Sequence, residues 1–207
     1  MTDLKTVGPG SCDRRREIIV ATAAEAFLRN GYAGTTMSSI SLSLGGSKTT
    51  LWSYFGSKEE LFEAVVDRIV SEFGNALSVS LPLDGEVREV LTRFGSVLLE
   101  TLCSAPILAL YRLVVGEAVR FPHLAAVFYG RGPLVGKSRL SAYLEQNMEA
   151  GRLRAGDPGR AAAQLVGLLQ SGSYQEILLG ICPVPSERQR DEEVEAAVLT
   201  FLDAWRR

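Results

Sequence analysis

The sequence predicts an all-α protein, and three observations carry that prediction. Apolar residues recur three and four apart in almost every segment, helix-capping residues stand just before those runs, and the two-residue alternation of strands is essentially absent. The turn sequences LPLDG, SAP, FPHL, RGP, GRLRAGDPG and CPVP then cut the pattern into pieces of helical length.

In DRRREIIVATAAEAFLRNGY, Asp13 is placed to cap a first helix. Ile18, Ala21, Ala24 and Leu28, with Phe27 beside them, make its apolar stripe, and Gly31 stops it. A short second helix starts at Thr36 with Ile40 and Leu44 facing inward, and Gly45-Gly46 breaks it. Ser47 caps a third, KTTLWSYF, whose Leu51 and Phe55 are four apart and share a face. Ser57 and Glu60 form a capping box that opens a long fourth helix carrying Leu61, Phe62, Val65, Ile69 and Phe73. Beyond Pro82 the spacing predicts longer helices over 87–103, 106–119, 134–148, 160–179 and 187–205.

Composition narrows the function classes. With 46% apolar and 22% charged residues, the 207-residue chain falls in the ordinary globular range. Cys12, Cys103 and Cys182 are far apart, and His123 is the sole histidine, so neither a metal site nor a disulfide framework is expected. No cofactor is expected either, and a reducing cytoplasm suits the thiols. Residues 1–12 read as a flexible tail with no signal pattern, and the uncharged stretch 161–175 is too short and polar to span a bilayer. Residues 1–58 carry seven basic and four acidic side chains, whereas the remainder carries 15 and 20. A basic small end on an acidic large end points to a polyanion met by the first part alone.

Two short helices joined by a Gly-containing turn, with a supporting helix before them, make a helix-turn-helix. Its second helix must present small or flexible donors and acceptors to base edges. Ser47, Lys48, Thr49, Thr50 and Ser53 meet that need, and Lys48, Tyr54 and Lys58 suit phosphate or base contacts. The stretch TAAEAFLRNGYAGTTMSSISLSLGGSKTTLWSYFGSKEELFEAVV resembles the DNA-binding region of the TetR family of bacterial transcriptional regulators. The likeness runs in register over about 14–64 through Ala24, Phe27, Gly31-Tyr32, Thr35-Thr36, Ile40, Gly45, Ser47, Leu51, Tyr54-Phe55, Ser57-Lys58-Glu59 and Leu61-Phe62. It departs from the family pattern at Ser41, Gly46 and Trp52. The DNA-facing positions it implies are Thr36, Ser38, Lys48, Thr49, Thr50, Trp52, Ser53, Tyr54 and Lys58, within a domain over 13–58.

A competing signal is GKS at 136–138. A phosphate-binding loop needs glycine five residues before Gly136, and Arg131 stands there, so nucleotide hydrolysis is not expected. No G-x-S-x-G occurs, and no catalytic residue is assigned.

Residues 59–207 are expected to form a larger helical ligand-binding and dimerisation domain. The segment from Tyr111 to Leu169 resembles the AefR-like ligand domain of some TetR-type repressors. That likeness implies a cavity, for which Phe94, Leu98, Cys103, Tyr111, Val115, Phe128, Tyr143, Met148 and Tyr174 are the candidate lining. Val194, Val198, Phe201 and Trp205 stripe the last helix, and Leu165, Leu168, Leu169 and Gly172 give the helix before it an apolar face. These eight are the candidate homodimer interface. The expectation is a repressor released from a double-stranded DNA operator by a small apolar or amphipathic effector. The alternatives are a small helical carrier or enzyme that never meets DNA, and a regulator of the same fold without ligand response.

Overall fold

A computed structural model describes residues 9–45, 48–78 and 81–206, with side chains from residue 13 onward except at 48 and 72–78. Of the expected tail over 1–12, residues 1–8 lie outside the described residues, as do the Gly46 break, the Ser47 cap and the side chains of Cys12, Lys48 and Phe73; residues 9–12 are already helical, which puts Asp13 inside the first helix rather than at its cap. Eleven helices run among those residues, with no strand between them. They are α1 Pro9–Gly34, α2 Met37–Ser43, α3 Lys48–Tyr54, α4 Lys58–Ser78, α5 Val87–Cys103, α6 Ala105–Glu117, α7 Pro122–Arg131, α8 Pro133–Glu149, α9 Pro158–Leu169, α10 Tyr174–Leu179 and α11 Glu187–Trp205. No single helix among them is long and apolar enough to cross a membrane.

The chain divides into two compact units. The first takes the chain up to Arg68 together with Leu113–Val127; the second takes Ile69–Arg112 and Phe128–Arg207.

In the first unit α1 buries Ile19, Val20, Ala23 and Phe27. The expected stripe is therefore rotated by about one position. Ile18 lies 43% exposed, and Ala21, Ala24 and Leu28 are half-buried. Gly31 breaks the helix as expected, at φ 77°. Thr36 caps α2 through a reciprocal pair with Ser39, and Met37, Ile40 and Ser41 face inward while Leu44 is half-buried. The Ser57 hydroxyl accepts the Glu60 N–H as foreseen, yet the Glu60 carboxylate takes the Gly56 N–H rather than that of Ser57.

The second unit is organised by α5, α8, α9 and α11. On α5 the buried Val87, Val90, Leu91, Phe94 and Leu99 follow helical spacing. Glu86 caps that helix by accepting the Glu89 N–H at 3.0 Å. Gly95 on the same face lets neighbours come close: a Cβ there would lie 2.7 Å from the Val194 side chain and 2.9 Å from that of Leu169. The far end of α11 is pinned by Trp205. Its indole donates to Gln164 at 2.9 Å, the Arg154 guanidinium sits 4.6 Å over its ring, and Gly156 leaves room for the ring edge.

Three expectations change here. The segment 122–131, read as a turn followed by an ambiguous apolar run, is the helix α7, because Pro122 occupies a first-turn position that needs no amide hydrogen. The single helix expected over 160–179 is two. Its break at 170–173 is held from α11: Glu193 accepts the Ser173 N–H at 3.2 Å, and its carboxylate fills the space where a Gly172 Cβ would stand. The third correction concerns the dimer stripe. Leu165, Leu169, Val194, Val198, Phe201 and Trp205 are all under 5% exposed within this chain's own core, so this chain itself covers most of the stripe that was expected to face a second copy. Of the eight, Leu168 is half-buried and Gly172 is exposed but pressed on Glu193. The outer side of the same two helices carries a shallow groove of about 440 Å³ lined by Gln164, Gly167, Leu168, Thr200 and Ala204, with the edges of Phe201 and Trp205.

Candidate nucleic-acid interface

The first unit is assembled around three rings. Phe27 stacks on Tyr32 at 5.5 Å between centroids, and Phe62 meets both edge-on at 5.7 and 5.4 Å. All three are fully buried, which ties α1 to α4. Thr35 closes the end of α1 by donating its hydroxyl to the carbonyls of Gly31 and Ala26, at 2.8 and 3.1 Å. The chain reversal between α1 and α2 is held by Lys58. Its ammonium donates to the carbonyls of Tyr32 and Thr35 at 3.0 and 3.1 Å and lies 4.1 Å from the Tyr32 ring centroid.

Glu59 sits beside this knot in the first turn of α4. Backbone hydrogen bonding at the helix start holds its carboxyl below the ordinary carboxylate range, with Tyr32 and Ser57 adding to the effect. Burial, then the hydrogen bond to Glu59 at 3.1 Å, pushes the Tyr32 phenol far up, so it stays a neutral donor. Glu117 adds an acceptor for the Ala33 N–H at 2.9 Å.

On this base α3 is oriented without ambiguity. Leu51 and Phe55 are each 1% exposed, whereas Thr49 and Ser53 are exposed and Trp52 is half-exposed. The chain therefore turns Leu51 on α3 and Phe55 just after it inward and leaves hydroxyls and an indole outside. Ser53 donates to the Thr50 carbonyl at 2.8 Å, which leaves its oxygen lone pairs free to accept from a base amine. Thr50 and Tyr54 are half-buried and each has a partner within the protein. Thr36 and Ser38 are exposed at the start of α2, with the Thr36 hydroxyl engaged as the cap.

The phosphate expectation for Lys58 shifts with this geometry. The Lys58 ammonium is engaged by two carbonyls, so its first role is to hold the turn together. The start of α4 is unsuited to a phosphate as well, because Ser57 already takes the Glu60 amide and two carboxylates stand in the first turn. Arg16 joins the candidates instead, with its guanidinium 5.2 Å from the Phe55 ring centroid. The run Arg14-Arg15-Arg16 was the available signal for it. Lys58→Met is expected to cost the unit about 1–3 kcal/mol by taking the ammonium donor from both carbonyls, which leaves that of Tyr32 only the Thr35 N–H. Urea unfolding checks this, and an unchanged midpoint would return Lys58 to a pure DNA-contact role.

The nine side chains expected to line one cavity fall into separate groups rather than one set. Phe94 and Tyr143 are buried in the main core, with Leu98 and Met148 packed against it. Cys103 and Tyr174 belong to a smaller cluster with Leu108 and Ile177, while Tyr111 and Phe128 meet edge-on at 5.7 Å. Val115 is 59% exposed and lies in the first unit.

A helix-turn-helix whose second helix faces outward with hydroxyls, carried with a separate helical unit, defines a DNA-binding regulator. Sequence comparison agrees. Residues 19–65 match the model for bacterial regulatory proteins of the tetR family, and residues 89–207 match that of the AefR-like transcriptional repressor C-terminal domain. The chain belongs to the TetR family of transcriptional regulators. Among solved structures it is similar to a putative TetR-family regulator from Mesorhizobium loti MAFF303099, at 27% identity and a TM-score of 0.83 over 94% of this chain and 98% of that one. It is also similar to the flavonoid-responsive regulator FrrA, at 32% identity and a TM-score of 0.80 over the same shares. The transcriptional repressor NicS of Pseudomonas putida strain KT2440 is 34% identical over 31% of this chain and 30% of its own length. The chain spans less than half the length of the curated relatives it matches.

Proposed function

We propose that this regulator is a homodimeric repressor whose paired α3 helices read two half-sites of an operator and let go when a small apolar or amphipathic effector binds the larger unit. The observation that carries the DNA-reading part is the division of α3 into a sealed side, Leu51 and Phe55, and an open side of Thr49, Trp52 and Ser53. One seven-residue helix touches too few bases to select a site alone. A two-fold pair reads half-sites about 34–36 Å apart, one turn of the duplex. The groove of Gln164, Gly167, Leu168, Thr200 and Ala204 is the face of α9 and α11 left open for the second copy.

Effector response follows from linkage: a ligand that binds the DNA-incompetent form better shifts the population by its differential affinity. The likeness to a regulator named for flavonoid response, over nearly the whole chain, supports a flat organic effector. Family resemblance to named repressors supports repression as the sense of control.

The test is selection from a random duplex library at fixed salt, followed by footprinting. A two-fold symmetric site is expected. Thr49→Ala should relax preference at one base pair per half-site by about 1–3 kcal/mol while leaving nonspecific binding unchanged. Recovery of no preferred sequence, or an unaltered preference in Thr49→Ala, would overturn the reading.

A further inference from the structure

Four buried polar atoms among the described residues have no hydrogen-bond partner: Tyr143 Oη, Asn147 Oδ1, Ser173 Oγ and Tyr174 Oη. The first two form a self-contained pair. Tyr143 and Asn147 lie one turn apart on α8, and the Asn147 amide acts on the Tyr143 phenol against the larger effect of burial. A small rotation joins them, and they ask for no ligand.

The other two differ. Ser173 and Tyr174 stand at the start of α10, and Tyr174 is 6% exposed in the cluster of Cys103, Leu108 and Ile177. Burial pushes the Tyr174 phenol up to about 12, and the nearby Tyr111 phenol and Cys103 thiol would oppose its ionisation further. The hydroxyl is therefore a neutral donor with nothing to receive its proton. Burial pushes the Cys103 thiol up as well. The basic groups close by are engaged elsewhere: Arg112 donates to the carbonyls of Leu178 and Ile177 at 2.7 and 2.6 Å, and Arg190 to that of Pro185 at 2.8 Å. A carboxylate ligand would have to compete with those carbonyls for the two guanidinium groups. A neutral acceptor would find a waiting donor among apolar and aromatic walls, with the edge-on Tyr111–Phe128 pair in the same unit.

We propose that the Tyr174 hydroxyl is the recognition point for the effector, and that the effector is a neutral, flat aromatic molecule presenting a carbonyl oxygen. This rests on the effector-responsive reading above and adds to it the polar contact and the ligand class. An unmet buried donor disfavours the state that contains it, so a ligand that supplies the acceptor gains more than its apolar contact alone. The Arg112 bonds tie α6 to the end of α10 beside this cluster.

The experiment is a two-by-two titration by calorimetry, using the full chain and its Tyr174→Phe variant. The probes are flavone (2-phenylchromen-4-one) and 2-phenyl-4H-chromene, which keeps the ring shape and lacks the carbonyl. Operator release is followed in parallel. The wild type should bind flavone about tenfold tighter than the chromene, the equivalent of one net hydrogen bond. Tyr174→Phe should lose that tenfold for flavone, leave the chromene unchanged, and melt no lower than the wild type. Equal affinity of both probes for the wild type overturns the ligand class, and undiminished flavone binding in Tyr174→Phe overturns the recognition point. Failure of both probes to bind overturns the proposal outright. Probes that bind with the expected pattern yet never release the operator would count against the effector-responsive reading and leave the Tyr174 contact standing.

Discussion

Replacing Phe62 with alanine will destabilise the DNA-binding unit by about 3–5 kcal/mol and abolish operator binding. Phe62 is fully buried and meets Phe27 and Tyr32 edge-on, so its ring joins α4 to both ends of the aromatic packing under α1. Truncation leaves a ring-sized void among residues that other contacts already hold: Tyr32 by its bond to Glu59, and the chain beside it by Lys58. Such a site cannot collapse cheaply. A whole domain of this kind is stable by only about 5–15 kcal/mol, so the loss takes a large share. Urea unfolding monitored alongside DNA anisotropy checks it. Phe62→Leu should retain most binding, and a loss below about 1 kcal/mol for alanine would mean that the three-ring packing is not what holds the unit.

The second large effect concerns Gly95. Gly95→Val is expected to lower the stability of the larger unit by about 3 kcal/mol, the upper part of the usual overpacking range. The first added carbon alone would stand 2.7 Å from Val194 and 2.9 Å from Leu169, closer than carbon atoms pack. Both neighbours are buried, Val194 at 0% and Leu169 at 1%, so neither can swing into solvent. The remedy is specific. Val194→Ala in the Gly95→Val background should recover a sizeable part of the loss, and thermal melts of the double-mutant cycle measure the coupling. Additive effects would show that the helices do not meet at this point.

The parts of the fold that were readable from sequence share a cause. The ends of α5 and α11 fall where the spacing puts them, because each has a cap residue and a dense stripe within its own length. The outward face of α3 was readable for the same reason, since Leu51 and Phe55 settle its rotation locally. What escaped depends on residues far along the chain. Glu193 holds the break between α9 and α10 from twenty positions away. The Lys58 ammonium is claimed by carbonyls that only the folded reversal brings near. On α1, adjacent Ile18 and Ile19 offer two equally apolar stripes one position apart, and packing chose the second. The last-helix stripe was correctly read as buried, but a stripe cannot say whether its cover comes from the same chain. The nine effector residues divide into more than one group for a related reason, because aromatic residues fill cores as readily as they line cavities.

The meeting of Gly172 and Glu193 has an evolutionary consequence. A larger residue at 172 would push the Glu193 carboxylate aside, and any shorter residue at 193 would release the amide of Ser173. Descendants of this gene should therefore inherit the two positions as a pair, and lineages that lose the acid should drift toward one unbroken rod where two short helices now stand.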